Sequence, residues 1–250
     1  MAIIIKSARE IDIMHRAGRI VSEVLRELVE RLGVGMTTAE LDAIAAHSLK
    51  CHGATSSFLG YRGFPAHLCV SINDEVVHGI PGERVVCEGD IVSLDFAASV
   101  DGFHSDAALT VGIGKVSEQA RTLIEVAEGA LDAGVVAARC GAHLGDVSAA
   151  IQRFTEDRGF SVVREYVGHG IGRDMHEDPQ IPNYGVPGRG PVLKQGMTMA
   201  LEPMVNAGGW RTKVADNRWT VTTADGSLSA HFEHTIAIID GEPEILTRCD

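Results

Sequence analysis

The chain has no paired-cysteine motif, no long apolar run and no excess of basic charge, and each absence narrows what it can be. Its five cysteines, Cys51, Cys69, Cys87, Cys140 and Cys249, are scattered singly without a CxxC pair. An odd, dispersed set reads as reduced thiols in a cytosolic protein and gives no thiolate metal site. The amino terminus, MAIIIK, has a short apolar run before Lys6 but lacks the basic and long apolar regions of a signal peptide. No run approaches the ~20 apolar residues of a membrane span. A formal net charge of −12 argues against general nucleic-acid binding, which needs a basic face. The expectation is a soluble cytoplasmic protein with neither a membrane nor a sequence-specific nucleic-acid partner.

What is present suits one sizeable domain over residues 1–250, since 45% of residues are hydrophobic, 22% are charged and no linker divides the chain. Ser7 with Glu10 forms a capping-box pattern, and Ile11, Met14, Val21, Val24, Leu25 and Leu28 follow at helical spacing. A second helix is expected from an N-cap at Thr38 to about Cys51. Two more are expected over 117–138 and 144–156. Strand-like runs lie at 69–72, 91–111, 160–165, 197–201, 220–223 and 231–239, with a turn at 224–226. Two helices followed by a β region, twice over, point to a pseudo-symmetric α+β fold around a central antiparallel sheet.

The most informative stretch is IVSLDFAASVDGFHSDAALTV, residues 91–111. Asp101-Gly102 is the dipeptide that closes a two-residue hairpin. If it does so here, Val100 pairs with Phe103 and, counting back, Asp95 faces Ala108. Asp106 lies two residues from Ala108, so both carboxylates leave one face of the hairpin. Such diagonal neighbours are roughly 7–8 Å apart at the backbone, close enough to share an ion. On its own the pair reads first as two solvated aspartates.

Two further acids change that balance, Glu202 in MALEP and Glu233 in AHFEHTIAII, each where an apolar strand residue is expected. Acidic residues are rarely buried without partners, and few Lys or Arg lie nearby in sequence. His169, in Gly168-His169-Gly170-Ile171-Gly172, reads by itself as a hydrogen-bonded loop residue but adds a fifth donor. Four carboxylates and an imidazole suit Mn²⁺, Fe²⁺, Co²⁺ or Zn²⁺. Charge balance calls for two divalent ions, which could share a bridging water and supply hydroxide for hydrolysis.

These five residues, together with HGIP, YVGHGIGRDMHEDP, EPMVNAG and SLSAHFEHT, resemble type I methionine aminopeptidases along nearly the whole chain. The resemblance implies the pita-bread fold, a dinuclear metal site and removal of the initiator methionine from nascent polypeptides, with a small second residue preferred. It implies Asp95 as bidentate ligand of one metal, Asp106 and Glu233 as bridges, and His169 with Glu202 completing the second. Glu202 would also be the general base, His176 would donate to the scissile carbonyl, and His78 would bond the scissile amide nitrogen. Tyr61, Phe64, Cys69, Met175 and Trp219 match positions lining the methionine pocket. Met175, Phe64, Arg62 and Phe58 depart from the usual residues there, which bears on pocket shape. Asn73 and Ser229 match a monovalent-cation site found in some members. A monomer, with transient ribosome contact possible only through a local basic patch, completes the expectation.

Two other readings fit the fold. An Xaa-Pro dipeptidase or creatinase relative would usually carry a large additional N-terminal domain, and a non-catalytic binding relative would have lost ligands that are all present here. The insertion that type II enzymes carry before the final ligands is missing between Glu202 and Glu233, as is a zinc-binding N-terminal extension.

Overall fold

The computed structural model describes residues 2–248, so Cys249 and its expected free thiol lie outside the described residues. Four helices, α1 (Ala8–Arg31), α2 (Thr38–His52), α3 (Glu118–Ala137) and α4 (Leu144–Glu156), back a mixed set of strands. Ser7 caps α1 through a complete capping box with Glu10, as the sequence implies. The second cap is Thr37, one residue earlier than expected. Both threonines could serve, but only Thr37 has a Glu three residues on, and Glu40 returns a 2.7 Å bond to its backbone N–H.

The main sheet runs in the order Thr55–Ser56, Ile91–Val100, Phe103–Gly112, Glu233–Ala237, Thr198–Leu201, Gly168–Gly170, Glu177–Ile181. All of its pairings are antiparallel. This is the α+β arrangement around an antiparallel sheet that the helix–strand repeat implies, and it agrees with the pita-bread fold that the resemblance implies. Val92, Leu94, Phe96 and Ala98 face α1 and α2, packing against Val21, Val24, Leu25, Leu28 and Leu41. Met199, Leu201 and Ile236 meet Leu123, Ala127, Leu131, Val147 and Ile151 of α3 and α4. The helices therefore seal one face of the sheet and leave the other for chemistry.

The hairpin forms in the expected register. Val100 pairs with Phe103, Asp95 with Ala108 and Ala97 with Asp106, ten residue pairs in all. Asp101 and Gly102 both take positive φ, 50° and 76°, the two-residue turn whose twist matches the strands. Arg16 of α1 grips Asp101 at 2.5 Å and pins the turn to the helix layer.

Two strand expectations need correction. The run at 231–239 divides into Ser229–His231 and Glu233–Ala237, which belong to different sheets. Its partner divides likewise, into Thr198–Leu201 and Met204–Asn206. Register is unbroken across the gap, since Leu201 faces His234 and Met204 faces His231. Phe232 thus stands opposite Pro203, which has no N–H for the ladder. On the opposite edge Thr110 ties in the neighbouring residue, its hydroxyl donating to His231 O and accepting from His231 N, both at 2.9 Å. The second correction is that the run at 160–165 is strand only at Ser161–Val162.

A Cβ at Gly102 meets no other atom, so its substitution tests backbone conformation alone. Gly102→Ala should lower unfolding free energy by about 1 kcal/mol, the cost of holding an L-residue left-handed. Specific activity should persist, because the other pairs hold the register. Denaturant titration alongside an activity assay would check this, and lost activity in folded protein would show that the turn itself sets the site.

Candidate metal centre and cavity

Sheet register alone places five chemical groups on one face. Asp95 faces Ala108, Ala108 faces Glu233, and the pairing of His234 with Leu201 puts Glu202 opposite Glu233. Asp106 is two residues from Ala108. His169 pairs with Ala200, two residues before Glu202. Because directly opposed residues and second neighbours share a face, all five point away from the helices. Donor atoms of Asp106, His169 and Glu233 lie within 4.8 Å of one another, and His169 Nε2 is 3.5 Å from Glu202 Oε1.

Burial makes this gathering electrostatically costly. Burial raises all four carboxyls, with mutual repulsion adding at Asp106, Glu202 and Glu233, and Asp95 is pushed up to about 7. Asp95 Oδ1, Asp106 Oδ1 and Glu233 Oε1 find no hydrogen-bond partner. Buried polar atoms normally have one, so these oxygens are donors held ready for something positive. The imidazole fits the same description. His169 Nδ1 lies 2.9 Å from Gly170 O and so donates to it, leaving the Nε2 lone pair turned towards Glu202. Burial also lowers the His169 pKa to about 4, keeping the ring neutral, as a ligand must be. This donor set fits divalent cations.

The cluster forms part of the wall of a cavity of about 110 Å³, well below the ~300–1,000 Å³ of clefts for drug-sized ligands. The residues expected to bind substrate all join it there: Tyr61, Phe64, Cys69, His78, Met175, His176 and Trp219. Phe64 meets Trp219 edge-on at 5.1 Å and Phe58 at 6.2 Å, building an apolar wall. His176 lies between Tyr61, stacked at 5.3 Å, and His169, at 4.1 Å. Burial, then the neighbouring His169 and Arg62, lowers the His176 pKa to about 3. His78 occupies a left-handed backbone position, φ 60°, and burial lowers it to about 4. Asn73 and Ser229 are joined apart from the cavity, Ser229 N donating to Asn73 O at 2.8 Å.

Phe58 and Arg62, marked in the sequence as departures bearing on pocket shape, also line the cavity. Sequence reasoning passed over one neighbour of the cluster. His231 is buried behind Glu233, its Nε2 3.8 Å from Glu233 Oε2, with neither ring nitrogen hydrogen-bonded. The signal for His231 was its place two residues before Glu233 in a strand.

The metallopeptidase family M24 model matches residues 12–240. The chain is 53% identical to a methionine aminopeptidase of Clostridium perfringens, over 98% of each chain. Against the crystal structure of methionine aminopeptidase from Thermotoga maritima it has 45% identity and a TM-score of 0.98, covering 99% of this chain and 100% of that one. A prolidase from Pyrococcus furiosus shares the fold at 23% identity and a TM-score of 0.79, with this chain covering 66% of it.

The raised carboxyls set a pH dependence in ion-free protein. The folded state keeps protons that the unfolded chain releases above about pH 4.5, so stability falls as pH rises. Below about pH 6.5 the depressed histidines oppose this, because only the unfolded chain protonates them. From about pH 7 to 8.5 those histidines are largely neutral in both states. The raised Cys69 thiol acts in the same direction as the carboxyls there. The Tm of EDTA-treated protein should therefore drop across that window, and saturating Mn²⁺ should suppress the drop. A Tm that holds or climbs in EDTA would contradict the raised carboxyls.

Proposed function

We propose that this chain, which belongs to metallopeptidase family M24 and is similar along its length to methionine aminopeptidases, is of type I and removes the initiator methionine of nascent polypeptides at a dinuclear centre, preferring a small second residue. The observation that carries this reading is the convergence of five donor side chains on the wall of a small, largely apolar cavity. Asp95, Asp106, His169, Glu202 and Glu233 would hold two divalent ions, from among Co, Mn, Fe and Zn. Bound there, the ions would offset the carboxylate charge and bring the pKa of a shared water towards neutrality, supplying hydroxide for hydrolysis.

The chain's own residues do the rest. Glu202 takes the proton released from the nucleophile and returns it to the leaving amine. His176, neutral at working pH, donates a ring N–H to the carbonyl oxygen and to the oxyanion formed from it. His78, across the cavity, hydrogen-bonds the scissile amide nitrogen. Tyr61, Phe64, Cys69, Met175 and Trp219 receive the methionine side chain, whose thioether suits polarizable and aromatic walls. The smallness of the cavity supports the preference for a small second residue, because little space remains beside the scissile bond. A monomer acting in the cytoplasm on emerging chains, as one domain spanning residues 1–250, fits this role. Among the described residues no helix is long and apolar enough to cross a membrane. Asn73 and Ser229 carry the secondary expectation of a monovalent cation, bound mainly through backbone oxygens.

Chelated enzyme should be inert and should regain cleavage of Met-Ala peptides, but not of Met-Leu peptides, when Mn²⁺ or Co²⁺ is restored. Mass spectrometry of the products reads this directly, and no metal-restored Met-Ala cleavage would defeat the proposal. Asp95→Asn and Glu202→Gln should abolish turnover with the circular dichroism unchanged. His176→Ala should lower kcat by about 10²–10³-fold, the usual loss for one oxyanion donor. A folded, fully active His176→Ala would remove its assigned role.

A further inference from the structure

Lys6 is a buried cation that the chemistry so far does not use. It is only 5% exposed, and its ammonium meets Glu177 Oε2 and, at 3.4 Å, Ile4 O. A buried ion pair returns little net stability once desolvation is counted, so its placement calls for another explanation. Glu177 directly follows His176. Its second oxygen, Oε1, accepts from Arg173 N at 2.9 Å and Asp174 N at 3.3 Å. The carboxylate thereby closes the turn that carries Met175 and His176.

The other end of the pair is equally fixed. Lys6 N donates to Gly196 O at 2.7 Å. A Cβ on Gly172 would overlap Lys6 Cε and lie 2.6 Å from Glu177 Oε1, so backbone is packed directly against the pair. By contrast, the His176 ring is held by its stacking between Tyr61 and His169. Among the described residues it makes no hydrogen bond that would orient it. Where the ring sits is therefore set by the backbone of its turn, and Glu177 is what anchors that turn.

We propose that the Lys6–Glu177 ion pair is a positioning device for His176, reaching from the amino-terminal segment to hold the imidazole on the scissile carbonyl. The inference rests on the role given to His176 above. In metal-loaded full-length enzyme acting on a Met-Ala peptide, Lys6→Met should lower kcat by about 10–100-fold, as expected for small misplacement of a catalytic group. KM should change far less, Mn²⁺ affinity by calorimetry should hold, and Lys6→Arg should recover most of the loss. In a His176→Ala background, Lys6→Met should cost no more than about twofold further, because residues acting through one group are not additive. Should Lys6→Met fold poorly, Lys6→Met/Glu177→Gln removes both charges and keeps an acceptor for the amides of Arg173 and Asp174. The same losses are expected of it.

Multiplicative losses in the double variant would overturn the positioning role while leaving that of His176 intact. Wild-type kcat in the folded charge-free pair would do the same. Wild-type kcat in His176→Ala alone would instead overturn the reading of His176, and this inference with it.

Discussion

Four carboxylates crowded on one buried sheet face are the constraint around which this fold is arranged. Each uncompensated ion there costs several kcal/mol, against a whole-domain stability of about 5–15 kcal/mol. The protein cannot hold all four ionised and unaccompanied. It must bind protons, as the raised carboxyls indicate, or cations. That the groups remain aligned is due to structure on the opposite face. Two layers of helix packing, centred on Phe96 and Leu94 in one half and on Met199 and Leu201 in the other, leave the strands no freedom to splay.

The same burial acts in opposite directions on acids and bases, and this separates their roles. Carboxyls are driven up and imidazoles down, so neutral His176 and His78 stand beside groups with a strong affinity for positive charge. Groups whose environments push their pKa values apart are the ones that divide acid from base work. A cation supplied to the carboxylates would restore their ionised form and leave the imidazoles as uncharged donors. Glu202 can then accept a proton while His176 keeps one to offer.

How much of this was legible in the sequence depended on whether a local rule decided the matter. The hairpin was legible because Asp101-Gly102 sets the turn and a period of two carries its consequence outward to Asp95 and Asp106. The helix caps were legible to within a residue; Thr37 and Thr38 compete, and only the distance to Glu40 separates them. The break at Phe232 was not legible, since nothing within 231–239 signals it. Its cause is Pro203, which becomes relevant only once register brings it opposite. Lys6 was equally opaque, its partner lying 171 positions away. Four of the five donors were readable as misplaced acids, whereas His169 and the convergence of all five needed the family resemblance or the sheet.

The two halves of the sheet meet over a narrow seam. Among the described residues only the pairs Glu233–Ala108 and His234–Ala107 join them by backbone register. Side chains extend the joint. Thr235 Oγ1 both accepts from Asp106 N and donates to Asp106 O, and Thr110 ties in His231. Asp95 and Asp106 belong to one side of this seam, and His169, Glu202 and Glu233 to the other. Cations held between them would therefore act as cross-links, converting repulsion across the joint into attraction. Ion loading and fold stability should then be a single linked equilibrium, as in any site that exists only in the native state. On this view the seam need not be strong in its own hydrogen bonds, because the chemistry it houses closes it.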